Sequence, residues 1–377
     1  MSPENRKGGQ WLQVRSDIWI GLAFLVVAIL LPLFQVSNYA LTQITLFFIW
    51  AAVVTQWNLV FGVAGVFSLG HMAVFAVGGY SAAMLSLYQD ISLWIALPFG
   101  ALVAVAFSLL MGLTTLRLRG PYVAVMTFAI AQALYSLIIT DVDCFVYEGQ
   151  LCLNFTGGAK GLIRFGDFGF KELLGFKFRL LGDYYLALTL LALGMVFAFL
   201  VIYSPLGSTF SALRDNQTCA EARGVNRVRF QMLVFAVSGV FTGLAGGVFA
   251  GIQKTIGPDV LTLPLLLFLL SMMVVGGKGT RWGPILGAGA LMLADTLLRE
   301  FSEIRNFGLA LIIILAILFL PRGLVGLVHD IFHWMPRSLV KLNRNDLALR
   351  SYQRNKSQER RILKRGGIRD SGQVPPQ

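Results

Sequence analysis

Few side chains in this sequence could do chemistry, and their spacing decides what kind. Ser68 and His71 stand three residues apart in FGVAGVFSLGHMAVFAVGGY, residues 61–80, a separation that would put both on one helical face. Two readings of the pair stay open: a neutral ring hydrogen-bonded to a neighbouring carbonyl that fixes a helix contact, or a polar patch that touches a solute. His329 and His333 are four apart but lack the intervening glutamate of a zinc-binding HExxH helix. Asp295 and Arg299 have the i, i+4 spacing of a structural ion pair. GGKGT, 276–280, contains a lysine without the GxxxxGK[ST] spacing that cradles phosphate. No nucleophile with a base, no acid pair and no metal set comes together in the pattern, so the sequence argues against an enzyme and against a bound cofactor or metal.

The elements that must carry these residues are set by composition. Hydrophobic residues make up 56% of the 377, charged residues 13%, and the mean hydropathy is +0.71, too little polar surface for a soluble globule. The net charge of +12 comes from loops and a tail, not from a basic face with interleaved aromatics, which excludes a nucleic-acid binder. Apolar runs near the 20 or so residues that cross a bilayer fall at 18–36, 39–61, 67–88, 92–116, 121–140, 184–203, 230–251, 263–276, 284–300 and 307–320. The expected fold is all-α, a polytopic transmembrane bundle of about ten crossings, of which 263–276 and 307–320 are short.

Charge gives the orientation. With the N-terminus inside, 23 of the 31 Lys and Arg lie on the cytoplasmic side and 8 outside, as the retention of basic loops requires. Residues 1–17 are then a cytoplasmic N-terminus, 18–320 the membrane domain, 141–183 an external loop and 321–377 a basic cytoplasmic tail resting on anionic lipid headgroups. The first apolar run reads as an uncleaved anchor. Cys144 and Cys152 share the external loop, either as a disulfide or as two thiols, and Cys219 is cytoplasmic and reduced.

Glycine clusters at 62–79, 239–251 and 276–289 allow close helix packing, and they allow a helix to break where backbone lines a cavity. FGVAGVFSLG faintly echoes FTGLAGGVFAG on a helix of opposite sense, compatible with an inverted repeat.

The segment 204–229, SPLGSTFSALRDNQTCAEARGVNRVR, is a polar cytoplasmic loop. Phe210, Leu213 and Ala220 have helical spacing, with Pro205 and Gly207 at the entry and Gly224 at the exit. A short helix with a small apolar face suits a groove on another protein; an ordinary solvated loop is the alternative.

The run AEARG, 220–224, resembles the Glu-Ala-Ala loop through which ABC importer permeases dock on their ATPases. GVAGVFSLGH at 62–71, GPYVAVMT at 120–127, NFTGGAKGL at 154–162, LRDNQTCAEARGVN at 213–226, VVGGKGTRWGP at 274–284 and PRGLVGL at 321–327 are together, and in order, similar to the LivM-type permeases of branched-chain amino acid importers. The resemblance implies a bacterial inner-membrane subunit with both termini cytoplasmic, paired with a LivH-type permease. It also implies two cytoplasmic ABC ATPases, which bind the ATP, and an extracytoplasmic binding protein that delivers the amino acid; the external loop 141–183 is either its docking surface or an ordinary solvated loop. In that picture Arg214, Asp215 and Glu221 are rim contacts to the ATPase, Ala220 and Ala222 seat the helix deeply, and Gly224 turns the chain. Gly65, Ser68, Gly70, His71, Thr127, Gly276 and Gly277 are candidates for the passage or for helix packing. Val66, Phe128 and Ala129 depart from the family's usual residues, which leaves open a related cargo such as urea or a short amide. An ion-coupled carrier, the main competitor, would need more buried acids than this chain has.

Overall fold

The structure is a computed structural model and describes residues 3–34, 37–118, 120–148, 151–170, 172, 175, 178–299, 305–319 and 323–327. Residues up to Val325 form one compact unit, and the second unit, from Gly326, lies almost wholly outside the described residues. So do His329, His333 and nearly all of the basic tail.

Every apolar run read from the sequence is a helix: α1 Pro3–Leu30, α2 Asn38–Asn58, α3 His71–Gln89, α4 Leu93–Thr115, α5 Pro121–Ile139, α6 Arg179–Tyr203, α9 Arg227–Gln253, α10 Leu263–Gly276, α11 Gly283–Leu298 and α12 Arg305–Phe319. Between α6 and α9 lie two short helices, α7 Pro205–Asp215 and α8 Gln217–Ala222. Seven helices among the described residues are long and apolar enough to cross a bilayer, whereas α10, α11 and the apolar part of α12 are shorter. At about 1.5 Å per residue, the 14 residues of α10 fall short of a 30 Å core. The chain is an all-α polytopic membrane bundle. Many of its large apolar side chains, including Leu102, Leu110, Leu137, Leu193, Leu200 and Leu297, point outward, as a lipid-facing surface requires.

The centre is α3, α4 and α9, held by glycine. A methyl group on Gly78 would stand 2.5 Å from the Cα and carbonyl oxygen of Gly243. One on Gly100 would meet the Gly78 carbonyl oxygen at 2.6 Å, and one on Gly79 the Gly246 carbonyl oxygen at 2.9 Å. These are backbone-to-backbone contacts, the way helices associate when lipid removes the hydrophobic drive. The segment 241–251, which echoes 61–70 in sequence, stays helical within α9, whereas 61–70 does not.

Helix ends sort the loops. At one end Arg281 pairs with Asp17 at 2.8 Å and Arg227 donates to the Leu118 carbonyl at 3.1 Å. At the other, Lys254 pairs with Asp167 at 2.7 Å, and Tyr88 donates to the carbonyls of Asn154 and Phe155. The loop 141–183 carries strands that the sequence reading did not foresee. β1 Cys144–Glu148 pairs antiparallel with β2 Leu151–Asn154, and β3 Leu162–Ile163 with β4 Thr255–Ile256. Cys144 is disulfide-bonded, the side chain of Cys152 lies outside the described residues, and Cys219 is a free, exposed thiol. Arg299 donates to the Tyr39 hydroxyl at 3.2 Å with its guanidinium over that ring, a partner its spacing from Asp295 does not reveal.

Candidate functional site: a broken helix gripped by the polar loop

Helix α2 does not end cleanly. It loosens into a π-turn over Leu59–Val63, and residues 65–70 then run without helical structure before His71 restarts the chain as α3. Gly65 makes the departure possible, with a φ of +73° that side-chain-bearing residues rarely adopt. Ser68 is therefore outside any helix, which corrects the expectation that it shares a helical face with His71. Residues 65 and 67 are exposed and Ser68, Gly70 and His71 buried, so the stretch leads from the polar end into the bundle.

Unwound backbone at depth must find partners, and here side chains supply them. Trp57 Nε1 donates to the Ser68 carbonyl at 2.8 Å, and the Leu69 amide donates to Thr127 Oγ1 at 2.9 Å. Trp57 also stacks on the His71 ring, with centroids 5.8 Å apart and planes within 4°. His71 Nε2 lies 3.0 Å from Thr242 Oγ1, whose hydroxyl donates to the Ser238 carbonyl at 2.8 Å. That hydroxyl hydrogen being engaged, Nε2 is the donor to Thr242. His71 thus fixes α3 to α9 through a hydroxyl, where a carbonyl was expected, and at 1% exposure it lines none of the described cavities. Gly70 packs on the Met111 thioether. Gly276 and Gly277 lie elsewhere, at the turn between α10 and α11, where a methyl on Gly276 would overlap the Gly283 carbonyl.

The polar loop sits against the open half of the break. It is two helices, not the single short helix that the spacing of Phe210, Leu213 and Ala220 suggests: Ser204 caps α7, which starts at Pro205, and Asn216 ends it while its side chain accepts from the Cys219 amide at 3.0 Å to start α8. An Asx cap satisfies one helix start only by taking a non-helical backbone, and that bends the lever. Phe210, at 1% exposure, packs with Leu59, Val60, Val63, Ala198, Val201, Val234 and Phe235, and Ala220 is 5% exposed. The apolar face is committed within this chain, which corrects the expectation that it would fill a partner's groove. Among those exposed on the two helices and the turn after them are Ser208, Ala212, Arg214, Asp215, Asn216, Thr218, Cys219, Glu221, Ala222, Arg223 and Gly224. Glu221 accepts from Gln217 Nε2 at 2.9 Å, and Gly224 has a φ of +88° with open space around it. Arg214 does not stand free at a rim. Its Nε meets Asp215 at 3.0 Å and its Nη1 donates to the Gly62 carbonyl at 2.9 Å.

Beneath the lever is a cavity of about 230 Å³ lined by Gly65, Val66 and Phe67 of the break, Arg214 and Gln217 of the lever, and Arg227 of α9, among others. On the other side of the π-turn, Asn58 Oδ1 accepts from the Gly279 amide at 2.7 Å and its Nδ2 donates to the Thr280 carbonyl at 2.9 Å. Sequence reasoning missed Trp57, Asn58 and Thr242. The signal was there for Asn58 and its neighbour Gln56, amides in an apolar span just before a glycine break. Among the described residues no cluster could hold a metal ion. Among the described residues the geometry joins a break in a membrane helix to the two short helices of 204–229 packed against it.

Residues 39–320 match the family described as branched-chain amino acid transport system / permease component. The chain is 29% identical over 329 residues to the high-affinity branched-chain amino acid transport system permease proteins LivM of Salmonella typhimurium and of Escherichia coli, covering 82% of this chain and 75% of each relative. It is 28% identical over 134 residues to the guanosine ABC transporter permease protein NupQ of Bacillus subtilis, covering 33% of this chain and 40% of that one. No solved structure matches. The chain therefore belongs to the permease components of branched-chain amino acid transport systems, in their LivM-type branch.

Proposed function

We propose that this chain is one membrane half of an ATP-driven importer that takes up branched-chain or other neutral amino acids across a bacterial inner membrane. A LivH-type permease forms the other half, two ABC ATPases sit on the end that carries residues 204–229, and an extracytoplasmic binding protein delivers the amino acid to the end that carries 141–183. The reading rests above all on the lever. Its inner face is welded to the bundle through Phe210 and Ala220, and its outer face presents Glu221, Ala222 and Thr218. A push on that face would reach the broken helix without any energy source in this chain. Termini on the ATPase side follow from the basic loops gathered there. Likeness to a guanosine permease over a third of the chain, with Val66 bordering the cavity, favours as the second reading the same machine with a different small neutral cargo.

The test is co-purification of the tagged chain with its ATPases. Glu221→Lys and Ala222→Trp should release the ATPases while thermal stability stays that of the parent, because both side chains are exposed. Retention of stoichiometric ATPase by both variants would contradict the docking face.

A further inference from the structure

The π-turn Leu59–Val63 leaves carbonyls that a continuing helix would have used. One of them, Gly62 O, is met by Arg214 Nη1 at 2.9 Å across 152 residues of sequence. The grip is steric as well. A methyl on Gly65 would stand 2.9 Å from Arg214 Cβ and closer still to its Cγ, so the backbone of the break lies directly on the arginine stem. On the far side of the same turn, Gly279 and Thr280 are held by Asn58, and Gly279 Cα faces the Gly62 carbonyl closely enough that a methyl would sit 2.9 Å from it. The turn is thus clasped between two jaws. Arg214 belongs to the moving lever, and the Asn58–Gly279 jaw belongs to the bundle.

We infer that Arg214 is the positioning residue through which displacement of the 204–229 lever is passed to the break at Gly62–Gly70, and hence to Ser68 and His71, rather than a contact to the ATPase. Three observations carry it. The guanidinium, the one long cationic group on α7, is turned toward this chain's own carbonyl. Asp215 at 3.0 Å braces it from the solvent side. The 230 Å³ cavity bounded by Gly65, Val66, Phe67 and Arg214 leaves the stretch room to swing when the lever moves. Arginine suits the task because its planar fork can hold a carbonyl and a carboxylate at once, which a lysine ammonium cannot do in fixed geometry.

The inference rests on the ATP-driven reading, and the test separates the two. In proteoliposomes holding the whole importer, ATP hydrolysed and amino acid taken up are measured together for the parent, Arg214→Ala, Arg214→Lys and Asp215→Asn. Arg214→Ala should keep its ATPase subunits and at least half the hydrolysis while amino acid moved per ATP falls about tenfold. Arg214→Lys should lie between, and Asp215→Asn should fall no more than about twofold. An unchanged ratio in Arg214→Ala overturns the inference, and so does loss of the ATPase subunits with an unchanged ratio in what remains, which would make Arg214 a docking residue. A parent that accumulates amino acid without ATP would instead overturn the importer reading itself. The second measurement uses Phe67→Cys in a Cys219→Ser background. Maleimide labelling of residue 67 should change at least threefold between nucleotide-free and ATP-trapped complexes, and Arg214→Lys should flatten that change. A change of the same size with lysine in place of arginine contradicts the transmission role.

Discussion

Replacing Gly78 with alanine is the sharpest probe of how the bundle is held. The new methyl would lie 2.5 Å from both the Cα and the carbonyl oxygen of Gly243, and ordinary contact begins at 3.4 Å. Neither atom belongs to a side chain that can rotate away, so α3 and α9 must part by about 1 Å at that point, the kind of overpacking that costs about 1–3 kcal/mol. The His71 Nε2 to Thr242 Oγ1 bond, 3.0 Å long on the same pair of helices, would stretch to about 4 Å, beyond hydrogen-bond reach. The fully buried His71 ring would then lose its hydrogen bond, while Thr242 keeps the one to the Ser238 carbonyl, adding about 1–3 kcal/mol. The total of about 2–6 kcal/mol corresponds to a midpoint lowered by about 4–24 °C at ~2–4 °C per kcal/mol. The assay is thermal unfolding in detergent, with Gly289→Ala as the matched control. A methyl on Gly289 lies 3.5 Å from the Phe47 ring, in ordinary contact, and removal of a mid-helix glycine is worth about 0.5–1 kcal/mol. Gly289→Ala should therefore match or exceed the parent. Equal midpoints for the two variants would refute the reasoning, because the chemical change is the same and only the surroundings differ.

Asp17, nearly buried, accepts from Arg281 at 2.8 Å, from Trp282 Nε1 at 3.2 Å and from the Tyr203 hydroxyl; Asp17→Ala should cost about 1–3 kcal/mol and speed proteolytic release of α1, whereas the double change with Arg281→Ala should cost less than the sum because no charge is left unpaired. Beyond the spans, the Lys254 ammonium bonded to Asp167 holds that carboxyl below its ordinary value, with the Gly169 amide assisting against partial desolvation. A lowered acid stabilises the fold above its unfolded pKa, near 4, and that stability is lost as pH falls through the lowered folded value. Asp167→Asn should therefore shift only the acid limb of a stability profile and leave pH 6–8 flat in shape. Cys219, free and exposed on the lever, should react with an impermeant maleimide in inside-out vesicles and not in right-side-out ones; the opposite pattern would invert the proposed orientation.

The helices were legible because an apolar run of bilayer length has few alternatives, and the lever was legible because breakers bracket a polar stretch. The break near Gly65 was legible as a tendency, since glycines in a span signal either packing or unwinding. Which of the two holds at each glycine was not: Gly78 packs on Gly243 inside a continuous helix, while Gly65 takes a left-handed backbone. That choice is made by partners distant in sequence. Thr242 meets His71, Arg214 meets Gly62, and Gly279 meets Asn58, each across more than 150 residues. The inward turn of Arg214 was illegible for a related reason, since an exposed-looking arginine beside an aspartate reads as solvated until the carbonyl it covers is in view. Strand β3 of the 141–183 loop was missed because it is two residues long and pairs with β4, distant in sequence, whereas β1 and β2 form a local hairpin whose short apolar strands the reading passed over.

The central claim is that the chain is moved by a neighbour pressing on residues 204–229 and fuels nothing itself. It is tested most directly by uptake of radiolabelled leucine into proteoliposomes that contain the assembled importer and its binding protein, with ATP either present or absent on the ATPase side. The account predicts accumulation above equilibrium only with ATP, and none from vesicles that contain this chain alone, whatever ion gradient is imposed. Uphill uptake by the chain alone, driven by a proton or sodium gradient, would contradict it.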